Sequence, residues 1–184
     1  MEEIVEVSAR HIHLTPEDCK ILFGKEDLIQ MKSLSQQNFA AEETVEIEGA
    51  KDRIKSVRVV GPIREYSQVE ISETDAIKLG IEAPLRISGD LPGASIKVKG
   101  TVGSIDKEIA IVAKRHFHLP AAKAEELSLK NGDKIKVQSS GDRALLFDEV
   151  VVRVGENFDA IVHLDTDEAN AAGIKNSDKV SIVT

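Results

Sequence analysis

Apolar and polar residues alternate in short runs along most of the chain, and turn-forming residues close each run. A period of two puts every second side chain on one face of a strand. On that pattern residues 4–7, 44–48, 56–60, 68–71, 85–88, 96–99, 108–113, 134–138, 148–154, 160–163 and 179–183 read as strands. Residues 16–24, 73–79, 121–127 and 167–172 have helical spacing instead. Ser72 and Asp165 stand where a side-chain oxygen can accept the orphan N–H groups of a helix start. Gly80, Gly132 and Gly173 fall where a turn or helix end calls for positive φ. Many short strands and a few one- or two-turn helices predict a mainly β protein: two similar small β-barrel domains capped by short helices.

The pairing of domains comes from an internal repeat. Val5 to Leu14, "VEVSARHIHL", is matched by Ala110 to Leu119, "AIVAKRHFHL", at an offset of 105 residues (116 − 11). Each copy leads through apolar residues into Arg-His-x-His-Leu. A second pair runs from Val69 to Ile81 and from Val162 to Ile174, at an offset of 93 residues (162 − 69). It sets Glu70 opposite His163 and Ser88 opposite Ser181. The expected division is residues 1–95 and 96–184, with room for the N-terminal strand to cross between barrels.

Composition narrows the function classes. The net charge of −8 argues against a nucleic-acid partner, because phosphate backbones need a basic surface. Five Phe, one Tyr and no Trp supply few platforms for stacking bases. No apolar run approaches the roughly 20 residues that span a bilayer, so no membrane role is expected. A single cysteine, Cys19, cannot form an intrachain disulfide and reads as a small buried side chain. The chain opens directly into strand 4–7, without a basic-then-apolar secretory pattern.

The histidines carry the chemistry. Four of the five form His11-x-His13 and His116-x-His118. On a strand, residues two apart share a face with Cα atoms about 6.5–7 Å apart, so both imidazoles can converge on one cation. The repeat supplies a third donor to each pair. The resulting sets are His11, His13, Glu70 and His116, His118, His163. Three protein ligands leave a coordination position open, as catalytic zinc sites do. Arg64, six residues before Glu70, is the candidate for holding an anion, since a guanidinium matches two phosphate oxygens at once. A loop arginine paired with Glu65 is the plainer alternative. Arg10 and Arg115 flank the His pairs but point to the other face of a regular strand.

The segments "VSARHIHL", "FAAEETV", "VRVVGPIREYSQVEIS", "RISGDL", "AKRHFHL" and "HLDTDEANAAGI" resemble the phosphate propanoyltransferase family, zinc-dependent phosphotransacylases of propanediol-utilising bacterial microcompartments and their relatives. The likeness extends from Ile4 to about Ile182. It implies two zinc ions per chain on the two sets above, and Arg64 as catalytic phosphate ligand. It also implies coenzyme A contacts at Val7, Ser8, Ala9, Lys51, Arg58 and Asn170, with Gln68, Ser88 and Arg153 around them. The implied partners are a coenzyme A thioester and inorganic phosphate, and a homo-oligomer is compatible with it. Encapsulated members carry an amphipathic N-terminal extension. Its absence before strand 4–7 makes the cytoplasm the expected location rather than a microcompartment lumen.

The expected reaction is direct transfer, acyl-CoA plus phosphate giving acyl phosphate plus coenzyme A, with acetyl and propanoyl both open. No serine or cysteine is placed as an evident nucleophile. Two alternatives stand beside it: a zinc-dependent thioester or ester hydrolase, and a non-catalytic zinc-stabilised binding module.

Overall fold

The computed structural model describes residues 1–183. In chain order the elements begin with β1 (Glu2–Ser8), β2 (His11–His13), α1 (Pro16–Phe23), β3 (Gln30–Ser33), β4 (Phe39–Glu48) and β5 (Arg53–Gly61). Then come β6 (Gln68–Ile71), α2 (Glu73–Leu79), β7 (Leu85–Arg86), β8 (Ala94–Lys99) and β9 (Ser104–Ala113). The rest is β10 (His116–Pro120), α3 (Ala121–Glu126), β11 (Lys134–Gln138), β12 (Leu146–Gly155), β13 (Ile161–Asp165), α4 (Thr166–Ala172) and β14 (Lys179–Val183). The protein is mainly β, as the alternation implies. It falls into two compact units, Arg10–Ala113 and Met1–Ala9 with Lys114–Thr184.

Each unit is a closed six-stranded barrel. In Arg10–Ala113 the ring runs β2–β5–β4–β8–β9–β6 and returns to β2, with β3 and β7 as outriders. In the other unit it runs β10–β12–β11–β14–β1–β13 and returns to β10. Parallel and antiparallel neighbours follow in the same sequence round both rings. The repeat is therefore structural. Its strands are also exchanged: β1 leads straight into the first His pair but is a strand of the second pair's barrel. Conversely, β9 leads into the second His pair and belongs to the first pair's barrel.

Period-two alternation fills the barrels. Ile12, Val69, Ile71, Ala110 and Val112 belong to one core, and Val5, Phe117, Leu119, Val162 and Leu164 to the other. Removing each of these side chains larger than alanine from water contributes about 1.5–3 kcal/mol. Cys19 is fully buried in the first core, as expected.

Helices α2 and α4 begin three residues after Glu70 and His163, with their caps at Ser72 and Asp165 two residues after them. Ser72 Oγ accepts from the Asp75 N–H at the first, and Asp165 with Glu168 forms a reciprocal capping box at the second. Both end on a left-handed glycine, Gly80 at φ 69° and Gly173 at φ 68°.

Three local features depart from the sequence pattern. β3 is exposed along its whole length, so no apolar period marked it. Strands β4, β5, β9 and β12 each begin two to five residues earlier than expected, because ladder hydrogen bonds extend through flanking residues whether these are buried and apolar, like Ala40 and Ala41, or exposed and polar, like Arg53. The strand expected over 85–88 stops at Arg86, where Ile87 O accepts from the Asp90 N–H and closes a turn. Among the described residues no helix is long and apolar enough to cross a membrane.

Gly173 separates backbone strain from crowding. A Cβ there would meet only Arg143, no closer than 3.5 Å. Gly173→Ala should therefore cost only the left-handed conformation, about 1–2 kcal/mol. A urea melt is expected to shift by that amount, with Gly173→Asn recovering part of it.

Candidate functional site

β2 is short, and Ile12 at its centre points into the barrel core. His11 and His13 therefore leave by the opposite face. β6 lies antiparallel beside it, with His11 level with Glu70 and His13 level with Gln68. Val69 and Ile71 point into the core, which turns Glu70 outward beside the histidines. The Glu70 carboxylate lies 3.8 Å from His11 Nε2 and 3.9 Å from His13 Nε2. His13 Nδ1 donates to the Val60 carbonyl at 2.9 Å, which fixes the tautomer and leaves Nε2 as the lone-pair donor.

The second barrel repeats the arrangement. Phe117 fills its core and sends His116 and His118 outward. On antiparallel β13, His163 is level with His116, the position Glu70 holds against His11. The His116 and His163 rings stack with centroids 4.8 Å apart, and His118 meets both edge-on at 4.6 and 4.8 Å. His116 Nδ1 donates to Lys114 O, again leaving Nε2 for the cluster. Phe158 packs on His118 at 4.4 Å between centroids.

In both triads one donor atom from each residue lies within 4.8 Å of the others. A tetrahedral zinc with bonds of about 2.0–2.1 Å needs donors about 3.3 Å apart, so small side-chain movements suffice. Imidazole and carboxylate donors suit zinc, and three of them leave a position open. The residues fit such an ion. His13 is prepared for it electrostatically. Burial, then the neighbouring His11 and Arg64, lower its pKa to about 3, and Glu70 offsets this only in part. The neutral imidazole is the form that binds a metal.

The arginines beside the His pairs have repeat-related partners. Arg10 Nε donates to Asp75 at 2.7 Å, and Arg115 Nη1 donates to Glu168 at 2.8 Å. Both acids are the third residue of the helix that follows the third donor. These arginines hold helices.

Arg64 lies in the loop between β5 and β6, and its backbone N–H donates to Leu14 O at 2.9 Å. Its guanidinium donates to Tyr66 Oη at 3.2 Å and Asn38 Oδ1 at 2.8 Å. Both partners are neutral, so they orient the charge without cancelling it. Tyr66, Asn38 and Phe158 carried no sequence signal for these roles, apart from Tyr66 being the chain's one tyrosine.

Four more polar side chains lie on or near the strands that bear the candidate donors. Arg58 is level with His11 on β5 and donates to the carbonyls of Ala41 and Glu42. Arg153 is level with His118 on β12. Gln68 is fully buried and holds a turn: Nε2 donates to Asp90 O and Oε1 accepts from Gly89 N–H, both at 2.8 Å. Ser88 is half-buried in that turn.

The remaining expected contacts lie on other segments. Lys51 is exposed, with its stem lying over Gly80 and its N–H donating to Leu79 O. Val7 and Ser8 end β1, with Ala9 following; the Val7 N–H donates to Asn176 Oδ1 at 2.7 Å. Asn170 is exposed on α4.

A family model described as phosphate propanoyltransferase matches residues 4–175. A Thermotoga maritima protein called phosphate propanoyltransferase is 49% identical, covering 98% of this chain and 88% of its own length. Proteins of the same description from Limosilactobacillus reuteri and Shewanella putrefaciens are 45% and 44% identical. Those matches cover 92% and 95% of this chain, and 81% and 85% of theirs.

The lowered His13 pKa has a measurable consequence. Above pH 6.5 the imidazole is neutral in both folded and unfolded chain, so it imposes no penalty. As pH falls from 6.5 toward 3, the unfolded chain takes the proton and the folded one does not, so metal-free protein loses stability. The His13 ring resonances of metal-free protein should stay in the neutral position from pH 8 to 5. Titration near 6.5 would contradict the buried setting.

Proposed function

This chain belongs to the phosphate propanoyltransferase family and is an acyltransferase, and we propose that it moves propanoyl or acetyl directly between coenzyme A and inorganic phosphate with a zinc ion at each triad. The observation that carries this reading is a three-donor cluster, open to a further ligand, with an arginine whose charge is oriented by neutral partners. His11, His13 and Glu70 would hold one ion, and His116, His118 and His163 the other. Zinc in such settings supplies Lewis acidity toward oxygen and affinity for sulfur.

In the transfer a phosphate oxygen attacks the thioester carbonyl carbon. A C–O bond forms, the C–S bond breaks, and the electron pair leaves on the coenzyme sulfur. Arg64 would grip two phosphate oxygens, leave another aimed at the carbonyl carbon, and offset negative charge that would otherwise repel the carbonyl oxygen. Tyr66 and Asn38 fix the guanidinium plane, so little ordering remains when phosphate binds. Direct attack is favoured over a covalent enzyme intermediate because the one cysteine, Cys19, is fully buried in a barrel core and its pKa is raised by that burial. Lys51, Arg58 and Asn170, with the backbone at Val7, Ser8 and Ala9, are proposed to receive the coenzyme. Gln68, Ser88 and Arg153 are proposed to support the ligands around it.

Free thiol released from propanoyl-CoA or acetyl-CoA should depend on added phosphate and stop with a chelator. Release without phosphate would instead mark a hydrolase. Arg64→Ala should raise the phosphate KM by on the order of 10- to 100-fold, the effect of losing a charge-assisted contact, and lower kcat while bound metal is unchanged. Unaltered phosphate kinetics would remove Arg64 from the role. Glu70→Ala and His116→Ala should each lower bound zinc from about two to about one per chain by elemental analysis.

A further inference from the structure

We propose that Arg86 is a second phosphate-binding side chain of the transfer site, receiving the inorganic phosphate or a phosphate carried by the coenzyme. This rests on the transfer reading above and adds a residue to it. Arg86 ends β7, which lies parallel to β9 with Leu85 level with Val112 and Arg86 level with Ala113. On the far side of β9, Glu70 is level with Ile111 and Ile71 with Val112. Carried across these parallel strands, the register puts Arg86 two positions beyond Glu70. Two positions restore the same face of a sheet. Arg86 therefore rises from the face that bears Glu70 and, through the pairing of β6 with β2, His11. Strand spacing and rise set the Glu70 and Arg86 backbones about 10 Å apart across the sheet and about 7 Å along it. A long side chain and a ligand of several ångströms span that gap.

Its hydrogen bonding points the same way. Arg86 is half-buried, and its Nε is buried with no hydrogen-bond partner. It is the one arginine atom in that condition among the described residues. No carboxylate among them lies within ion-pair distance of its guanidinium. A guanidinium nitrogen withdrawn from water with its donor unfilled is costly unless an acceptor arrives from outside the chain. Nε and a terminal nitrogen form the edge of the guanidinium that grips two oxygens of one anion.

The turn after Arg86 is built to keep it in place. Gln68, level with His13, holds Gly89 and Asp90 through both ends of its amide. The Tyr66 hydroxyl that accepts from Arg64 also lies against Gly89, 3.5 Å from where a Cβ would stand. Two arginines, neither joined to a carboxylate, thus flank one clamped turn beside the first triad. Like charges are tolerated there when an anion joins them.

Steady-state kinetics of zinc-loaded wild type, Arg86→Ala and Arg86→Gln test the assignment, varying phosphate and acyl-CoA in turn. Arg86→Gln keeps the stem and serves if Arg86→Ala fails to fold. A phosphate KM raised by on the order of 10- to 100-fold, with the acyl-CoA KM unmoved, identifies inorganic phosphate as the ligand. The converse pattern identifies the coenzyme. In that case acyl-3′-dephospho-CoA, which lacks the sugar phosphate, tells that group from the diphosphate bridge by whether the mutational effect vanishes. If both Michaelis constants stay within about twofold of wild type in the folded variants, Arg86 binds neither substrate and the assignment is overturned. Wild type without phosphate-dependent thiol release would sink the transfer reading and this assignment together.

Discussion

Four short strands have no solvent face, and the candidate site follows from that constraint. In β2, β6, β10 and β13 the inward residues are apolar and complete a barrel core. Most of the outward ones are buried as well: His13, Gln68, Glu70, His116, His118 and His163 are each at most 9% exposed. Polar groups taken from water must be compensated. Here they are gathered so that three donors share a focus on each barrel, set by one-to-one register: His11 with Glu70, His116 with His163. A slip of one residue would send every donor into an apolar core. The hydrophobic packing of Ile12 and Phe117 thus fixes the donor geometry as firmly as any hydrogen bond at the donors themselves.

Around that frame the same supports occur twice. The third donor is followed at two residues by a helix cap, Ser72 or Asp165. The third residue of each helix binds the arginine that precedes the His pair, Asp75 to Arg10 and Glu168 to Arg115. Each strand bearing two histidines is thereby tied to the helix launched by the strand bearing the third donor. The two copies differ in what the third donor is. With a metal ion at each triad, as proposed, the carboxylate would lower the net charge of one cluster relative to its all-imidazole counterpart and so separate the affinities of two otherwise equivalent frames.

Much of this was legible in the sequence because the repeat turned isolated residues into corresponding ones. Glu70 alone is a carboxylate on a polar strand face. Aligned with His163 it becomes the candidate third donor, and the strand register sets it level with His11. The caps at Ser72 and Asp165 and the positive φ of Gly80, Gly132 and Gly173 were equally readable, because local backbone chemistry decides them. Long-range partnerships left no local mark. Nothing near Arg64 in the sequence announces Asn38, which is 26 residues away, and Glu65 was the neighbour that spacing suggested. Strand β3 escaped for a different reason: with every residue exposed, it has no apolar period to read.

The exchange of β1 and β9 bears on how the chain assembles as it is made. The ring of Arg10–Ala113 is one continuous stretch, so it can close while the remainder is still being synthesised. The other ring needs β1 from the first few residues and β13 and β14 from the last. Its earliest strand must wait for β13, whose first residue, Ile161, comes 153 positions after Ser8 (161 − 8). The glutamates at positions 2, 3 and 6 of that strand give the waiting segment a charge that discourages it from pairing with other nascent chains.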